Sequence, residues 1–369
     1  MSGAKGGDKI GKIIARLQQR ISEGQFYEAQ QQTRVVAARY IKATNWTAAV
    51  DILYNVAQSL LKAGQGGSGG DLCVLLIDTY KQAELKPDPA TKSKLLTCLR
   101  LFDSQEPTRK KYIGEIISYV HESVLFRCCY RTPAGKSYEN VLIQKATHRW
   151  SSKFGEYPAG DPELHHVAGC LYAEEHETYD AEKHLLLGTK DSPEVLARME
   201  YEWFKEDDAH TAALYAGRAV LPYLITANVR AANTSYHVFT SALSEDKASQ
   251  LGVQDVSSNS ADLRVFPSIP LLNFLGLLLL AIQRGTPELY RQLASKYATH
   301  LKDVEMWDEA LEIIAEIYFG IVKPRQSNPL MDMMSGFFGG GGAPAGGSSK
   351  KPAIKAPSSN SMPAAEGLD

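Results

Sequence analysis

Membrane-length apolar runs, disulfide patterns and an excess of either charge are all missing from this 369-residue chain. Its five cysteines (Cys73, Cys98, Cys128, Cys129 and Cys170) are odd in number and lack paired C-x-x-C spacing. That excludes a disulfide framework and a zinc ribbon, and suits free thiols in a reducing compartment. The N-terminus is polar and glycine-rich, with no apolar signal core. The longest apolar run, Ile269 to Ile282, is interrupted by Pro270, Asn273 and Gly276. It falls short of the roughly 20 residues that span a bilayer and predicts a buried helix. A soluble, cytosolic protein without stable membrane insertion is the expectation. Lys and Arg number 40 against 42 Asp and Glu, for a net charge of -2. Such a balance excludes wholesale electrostatic binding to nucleic acid. The aromatic residues sit at helical core spacing rather than among basic residues as a base-stacking platform requires.

Motifs for chemistry are equally thin. The run Gln65-Gly66-Gly67-Ser68-Gly69-Gly70-Asp71 has the glycines of a phosphate loop. It lacks the Lys and Ser/Thr that follow the last glycine in such loops, and Asp71 in their place would repel phosphate. The same residues satisfy G-x-S-x-G, which works only where a strand feeds a turn that lifts the serine above a sheet. Here Trp46, Val50, Leu53, Tyr54, Ala57, Leu60 and Leu61 give the preceding segment helical spacing. The glycines therefore predict a flexible inter-helix turn, with the next helix running from Asp71 to about Leu85. His121-Glu122 opens an H-E-x-x-H pattern that Leu125 breaks. His165 and His166 are adjacent on a predicted helix and diverge by about 100 degrees, so with His176 they do not converge on one metal. No catalytic residue, metal or cofactor is assigned.

Helical periodicity is what the chain does have. Ile10, Ile13, Ile14, Leu17 and Ile21 share one face, and Gly24 stops that helix. An aromatic followed three residues later by alanine recurs at helix starts: Phe26 and Ala29, Trp46 and Ala49, Trp307 and Ala310. Tyr179-Asp180-Ala181 is a looser copy. The ring fills inter-helix space and the alanine permits close approach, as in tetratricopeptide-like helix pairs, although the spacing between copies is irregular. The fold class expected is all-α: a right-handed α-solenoid of such pairs, with a small β-hairpin insertion over residues 252–269 and a disordered tail. The polar stretch Gln254 to Ser260 and the alternating Leu263-Arg264-Val265-Phe266 mark the hairpin. After Lys323 the Gly/Ala/Pro/Ser-rich composition cannot order itself, and only Leu330 to Phe338 offers a short apolar motif. Residues 1–45 carry eight Lys/Arg against Asp8, Glu23 and Glu28. That basic face is either a solvated helix surface or a match for an acidic partner.

Several ordered blocks carry a family resemblance. They include Arg20-Ile21-Ser22-Glu23-Gly24-Gln25-Phe26-Tyr27-Glu28-Ala29, Gln65 to Leu72, Trp150-Ser151-Ser152-Lys153-Phe154-Gly155, Gly160-Asp161-Pro162-Glu163-Leu164-His165, Pro270-Leu271-Leu272-Asn273-Phe274 and Tyr318-Phe319-Gly320-Ile321. Together, over about residues 8–322, they resemble the fourth Golgi-to-ER traffic protein family. The resemblance implies a non-enzymatic cytosolic adaptor of the GET pathway, which delivers tail-anchored proteins to the endoplasmic reticulum. It implies a flexible start at 1–8 and an N-terminal half at 9–164 that docks on the pathway's targeting ATPase. It implies a C-terminal half at 165–322 that grips the N-terminal segment of a ubiquitin-like subunit, through which a TPR cochaperone is reached; the disordered tail at 323–369 is poorly covered by the resemblance.

The site residues carried over are Arg16, Arg20, Tyr27 and Arg34 for the ATPase, with Asp71, Asp78 and Glu84 as an acidic contact near one face of the fourth helix. For the ubiquitin-like partner they are Phe266, Leu271, Leu272 and Phe274, for which the alternative is burial in the core. Phe126 to Asn140 reads as an insertion relative to the family, either a loop or a gene-model artefact. Two rival functions stand: a generic TPR-like scaffold of another assembly, such as a proteasome-lid-like or coat-like one, and a serine hydrolase using Ser68.

Overall fold

The structure is a computed structural model that describes residues 3–117, 149–258 and 261–322. The proposed insertion at 126–140, Cys128, Cys129, His121 and the tail lie outside the described residues. The chain opens with α1 (Gly3–Ser22), α2 (Phe26–Lys42), α3 (Trp46–Lys62) and α4 (Gly66–Gln82), each packed on its neighbours in the row. The first helix thus reaches back into the stretch expected to be flexible.

These helices repeat every twenty residues. The residues that close them, Gly24, Thr44, Gly64 and Glu84, all have positive φ. Each closure uses the same two bonds. The Gly24 N–H donates to the Ile21 carbonyl at 3.0 Å and the Gln25 N–H to the Arg20 carbonyl at 2.9 Å. Thr44, Gly64 and Glu84 and their successors repeat the pattern, the last with a 3.3 Å bond from the Glu84 N–H to Lys81. This is the paired arrangement that satisfies the last carbonyls of a helix through one left-handed residue. Two units make a helix pair of roughly forty residues, against about 34 in a tetratricopeptide repeat.

The repeat corrects the reading of the glycine run. The turn is only Ala63-Gly64-Gln65, and Gly66 to Gly70 are helical. Gly66 and Gly69 take the slots that Phe26 and Ala29 hold in α2 and Trp46 and Ala49 hold in α3. Ala29, Ala49 and Gly69 are all buried. A Cβ added at Gly69 would stand 2.8 Å from the Leu61 side chain, and one at Gly70 would collide with the Thr108 hydroxyl. Glycine is there because backbones approach closely, not because the chain bends.

Beyond α5 (Pro89–Leu99), α6 (Pro107–Ile116) and the short α7 (Trp150–Phe154), the row continues as α8 (Pro162–Glu174), α9 (Thr178–Leu185), α10 (Ser192–Phe204), α11 (Ala212–Ile225) and α12 (Val229–Leu251). The Trp150 indole N–H donates to the Leu85 carbonyl at 2.7 Å and tilts against Tyr80, fixing α7 on α4. The hairpin appears where expected: β1 (Gln254–Ser258) pairs antiparallel with β2 (Ala261–Val265), Gln254 opposite Val265. It is followed by α13 (Pro270–Arg284), α14 (Pro287–Lys296), α15 (Ala298–Leu301) and α16 (Asp308–Phe319). The α-solenoid reading holds, with one hairpin as the strand structure among the described residues.

Candidate functional site

On α1 the apolar residues Leu17 and Ile21 are buried, while Lys9, Lys12 and Arg16 are exposed and Arg20 is half-buried. Steps of three or four residues place Lys9, Lys12, Arg16 and Arg20 in one stripe. On α2 the buried side is built from Ala29, Gln30, Thr33 and Ala37. Its outer side shows Tyr27, 67% exposed, Arg34, and Val35, 52% exposed. Tyr27 and Arg34 are seven residues apart and share a face. Among the described residues no ion pair ties up Arg16, Arg20 or Arg34. An exposed aromatic ring beside unpaired guanidinium groups, on rigid helices, is the composition of a protein-binding surface.

The acidic candidates divide. Asp71 is exposed on α4 and accepts a 3.1 Å hydrogen bond from the Gln30 side chain of α2. Gln30 is on the buried side of α2, so this bond ties Asp71 to α2 without placing it beside Tyr27 and Arg34. Asp78 is two turns further along and stands 4.0 Å from Lys81. Lys81 is also bound to Glu115, which Arg149 contacts at 2.7 Å. Burial opposes ionisation of Glu115, but Lys81 and Arg149 prevail and hold its carboxyl below the ordinary range. Glu84 does not share the face expected of it. Six residues of helix rotate a side chain by about 240 degrees, and α4 has already ended when Glu84 forms the left-handed turn.

At the other end, three of the four apolar candidates are core. Phe266, Leu272 and Phe274 are fully buried, and only Leu271 is half-buried. The Phe266 N–H donates to the Asn273 side-chain oxygen at 2.8 Å, and the Asn273 amide donates back to the Phe266 carbonyl at 2.8 Å. This clamp locks the chain leaving β2 onto α13. Phe274 packs on Tyr297 and Trp307. The side chains of Phe266, Leu272 and Phe274 are thus committed to the interior. Sequence alone does not separate the two roles, because core and groove draw on the same apolar types. Arg264 straps the hairpin to α12, donating to the Ser244 hydroxyl at 3.2 Å. Among the described residues towards this end of the chain, Met306, Ile317 and Val322 are the exposed large apolar ones.

Sequence reasoning missed the polar interior of α8 to α11. His165 and His184 face each other, Nδ1 to Nδ1, at 3.0 Å, and the His165 Nε2 meets the Ala159 carbonyl at 3.1 Å. Burial pushes His165 down to about 4 and drives His184 well below the usual range. Glu182 and Glu200 are buried beside Arg218, whose guanidinium lies 2.7 Å from Glu182 and 3.2 Å from Glu200. Burial, and then the Glu182 charge, raise Glu200 well above the carboxylate range, with Arg218 pulling the other way. The detectable signal was positional: Glu200 falls four residues after Leu196 and four before Phe204, on the apolar stripe of α10.

Ser68 sits in the first turn of α4 after a helix, not after a strand, so the elbow architecture is absent there. Among the described residues no group of three His, Cys, Asp or Glu is placed to hold a metal ion. His166 bonds the Ser192 hydroxyl at 2.8 Å, and His176 is exposed in a left-handed turn.

A family model described as Golgi to ER traffic protein 4 matches residues 43–338. The Golgi to ER traffic protein 4 of Aspergillus fumigatus is 46% identical over 375 residues, covering 98% of this chain and 99% of its own. Its namesake in Schizosaccharomyces pombe is 31% identical over 327 residues, covering 88% and 94%. A solved structure described as C. therm. Get4 is similar with a TM-score of 0.76 at 58% identity, over 91% of this chain and 97% of that one.

Proposed function

This chain belongs to the Golgi to ER traffic protein 4 family, and from that premise we propose that it is a non-enzymatic adaptor of the GET pathway. It binds the targeting ATPase for tail-anchored proteins through α1 and α2, and a ubiquitin-like subunit through the region around the hairpin and α13. By holding both, and through the subunit a TPR cochaperone, it raises the local concentration of substrate-bearing partner near the ATPase. It works in the cytosol. Among the described residues no helix is long and apolar enough to cross a membrane.

One observation carries the first contact. Arg16, Arg34 and Tyr27 are exposed on helices whose inner faces are committed to the core, and the half-buried Arg20 continues the α1 stripe. Asp71, tied to α2 through Gln30, is a separate acidic contact for the ATPase on this reading. Asp78 and Glu84 lie away from that point. For the ubiquitin-like subunit, Leu271 is the candidate for direct contact, and Phe266, Leu272 and Phe274 hold the interior in shape.

The test is size exclusion with light scattering at low salt, on the full chain mixed with the ATPase and the subunit's N-terminal segment. Arg16→Glu, Arg20→Glu and Arg34→Glu together are expected to weaken ATPase binding on the order of a hundredfold, since like charges then face each other. The subunit should stay bound. Loss of both partners, or of neither, contradicts the reading.

A further inference from the structure

Neither surface above uses a cluster at one edge of α9, α10 and α11. Tyr179 from the first turn of α9, Trp203 from the last turn of α10 and Tyr215 from the first turn of α11 form a continuous ladder. Tyr179 meets Trp203 edge to face at 5.6 Å between centroids, and Trp203 meets Tyr215 at 5.5 Å. The Arg218 guanidinium lies 4.7 Å from the Trp203 ring centre and 5.3 Å from that of Tyr179. Glu182 and Glu200 grip Arg218 from the buried side, so the rings are held in place before anything binds. Tyr179 is nevertheless 51% exposed, and Trp203 and Tyr215 are half-buried. Rigid Trp, Tyr and Arg side chains lose little entropy on association and dominate interface energetics.

The rim decides what fits. The Tyr215 hydroxyl donates to Asp207 at 3.1 Å, joining the ladder to the exposed run Glu206-Asp207-Asp208. Lys205 in this turn is already bound to Glu202, and His210 also lies near Asp207. The Asp208 backbone N–H, and then the Tyr215 hydroxyl, hold Asp207 below the usual carboxylate range, so its negative charge persists at neutral pH. A phosphate backbone would be repelled here. Arg218 itself shows which cation the rings accept: a flat guanidinium that stacks and is bridged by carboxylates, which an ammonium reproduces less well.

We propose that this aromatic and acidic edge docks an arginine-bearing basic segment of a partner protein, at a third surface separate from the two described above.

The experiment is fluorescence anisotropy of labelled nona-arginine, nona-lysine and nona-glutamate peptides titrated with the full chain at low salt. Nona-arginine is expected to bind more tightly than nona-lysine, and nona-glutamate not at all. Tyr179→Ala leaves the net charge unchanged and is expected to weaken nona-arginine about fivefold, the scale of one cation–π contact, with little effect on nona-lysine. Neutralising the rim with Glu206→Gln, Asp207→Asn and Asp208→Asn together should weaken it at least about tenfold and flatten its salt dependence. Thermal melts confirm that each variant is folded, and Tyr179→Phe should restore binding. The Arg16, Arg20 and Arg34 reversals serve as a control and should leave nona-arginine affinity no weaker. Equal affinity for the two basic peptides, or no change in Tyr179→Ala, would overturn the proposal by reducing the edge to bulk acidity. No binding of nona-arginine would overturn it outright.

Discussion

The first four helices and the later run from α8 to α11 reach the same architecture by different interiors. In α1 to α4 the buried positions are Leu, Ile, Val, Ala, Gly and Cys, with Gln30, Thr33, Thr79 and Tyr80 as the exceptions that carry a polar group, and the backbone repeats every twenty residues. In α8 to α11 the interior takes in two histidines, two glutamates and the stem of an arginine, and the period is lost. The earlier run shows how little is needed to stack helices: a left-handed closing residue, a small residue at the fourth helical position and an apolar stripe. The later run carries charges whose removal from water is unfavourable unless they are paired. Its stability should therefore depend on individual partners and on pH in a way the earlier run does not.

The largest expected effect breaks that pairing. Arg218→Ala leaves Glu182 and Glu200 together without their cation and should cost about 3–5 kcal/mol in urea denaturation near pH 7. A smaller penalty is expected near pH 4.5, where the carboxyl groups are more readily protonated. An equal penalty at both pH values would show that Arg218 matters through packing alone.

Acid should next separate the two runs. His165 and His184 have folded-state values below the ordinary one, so their stabilising contribution is present above about 6.5 and is lost as pH falls towards 4. For His165 the loss between about pH 7 and 5 is on the order of 2 kcal/mol. Glu200 works with the opposite sign. Its folded value is raised, so its contribution is full below the unfolded value near 4.5 and declines as pH rises from there. Hydrogen exchange, corrected for intrinsic rates, should show α8 and α9 losing protection before α2 to α4 on acidification. Uniform loss along the chain would mean that the histidine pair is not the weak point.

Within the regular run, two glycines of one helix should respond in opposite directions. Gly70→Ala drives a methyl into Thr108 and should destabilise by about 1–3 kcal/mol. Gly67→Ala meets nothing within 4 Å and should stabilise by up to about 1 kcal/mol through helix propensity. The smallest effect concerns Thr44, a β-branched residue at φ 55 where the repeat elsewhere uses Gly24 and Gly64. Thr44→Gly relieves left-handed strain of roughly 1–2 kcal/mol against the added freedom of glycine in the unfolded chain. A net gain of up to about 1 kcal/mol is expected, and a loss would show that the turn tolerates threonine without strain.

The same contrast explains what was legible in the sequence. The apolar stripe of α1, the paired aromatic and alanine at helix starts and the hairpin between α12 and α13 follow from local periodicity, and each lies where it was expected. The glycine run was misread because glycine has two uses that local sequence does not distinguish: it ends helices, and it lets helices touch. Only the neighbours Leu61, Thr108 and Phe102, two of them distant in sequence, decide between them. The basic outer face was legible because exposed charge at helical spacing needs no tertiary information. Phe266, Leu272 and Phe274 were not, since an apolar residue in a groove and one in the core obey the same pattern. Glu200 and Arg218 meet only when α10 and α11 pack, and an isolated glutamate on an apolar stripe does not announce its partner.

On the proposed reading the two ends bind their partners by different physics, and salt dependence separates them. Affinity for the ATPase and for the ubiquitin-like subunit's N-terminal segment should be measured by titration calorimetry across a series of ionic strengths. With the contact made by charged residues of α1 and α2, as proposed, the ATPase affinity is predicted to fall steeply as salt rises. With an apolar contact, as proposed, the subunit affinity is predicted to stay nearly flat. Equal slopes for the two partners, or an ATPase affinity indifferent to salt, would contradict the assignment of the basic stripe to the ATPase.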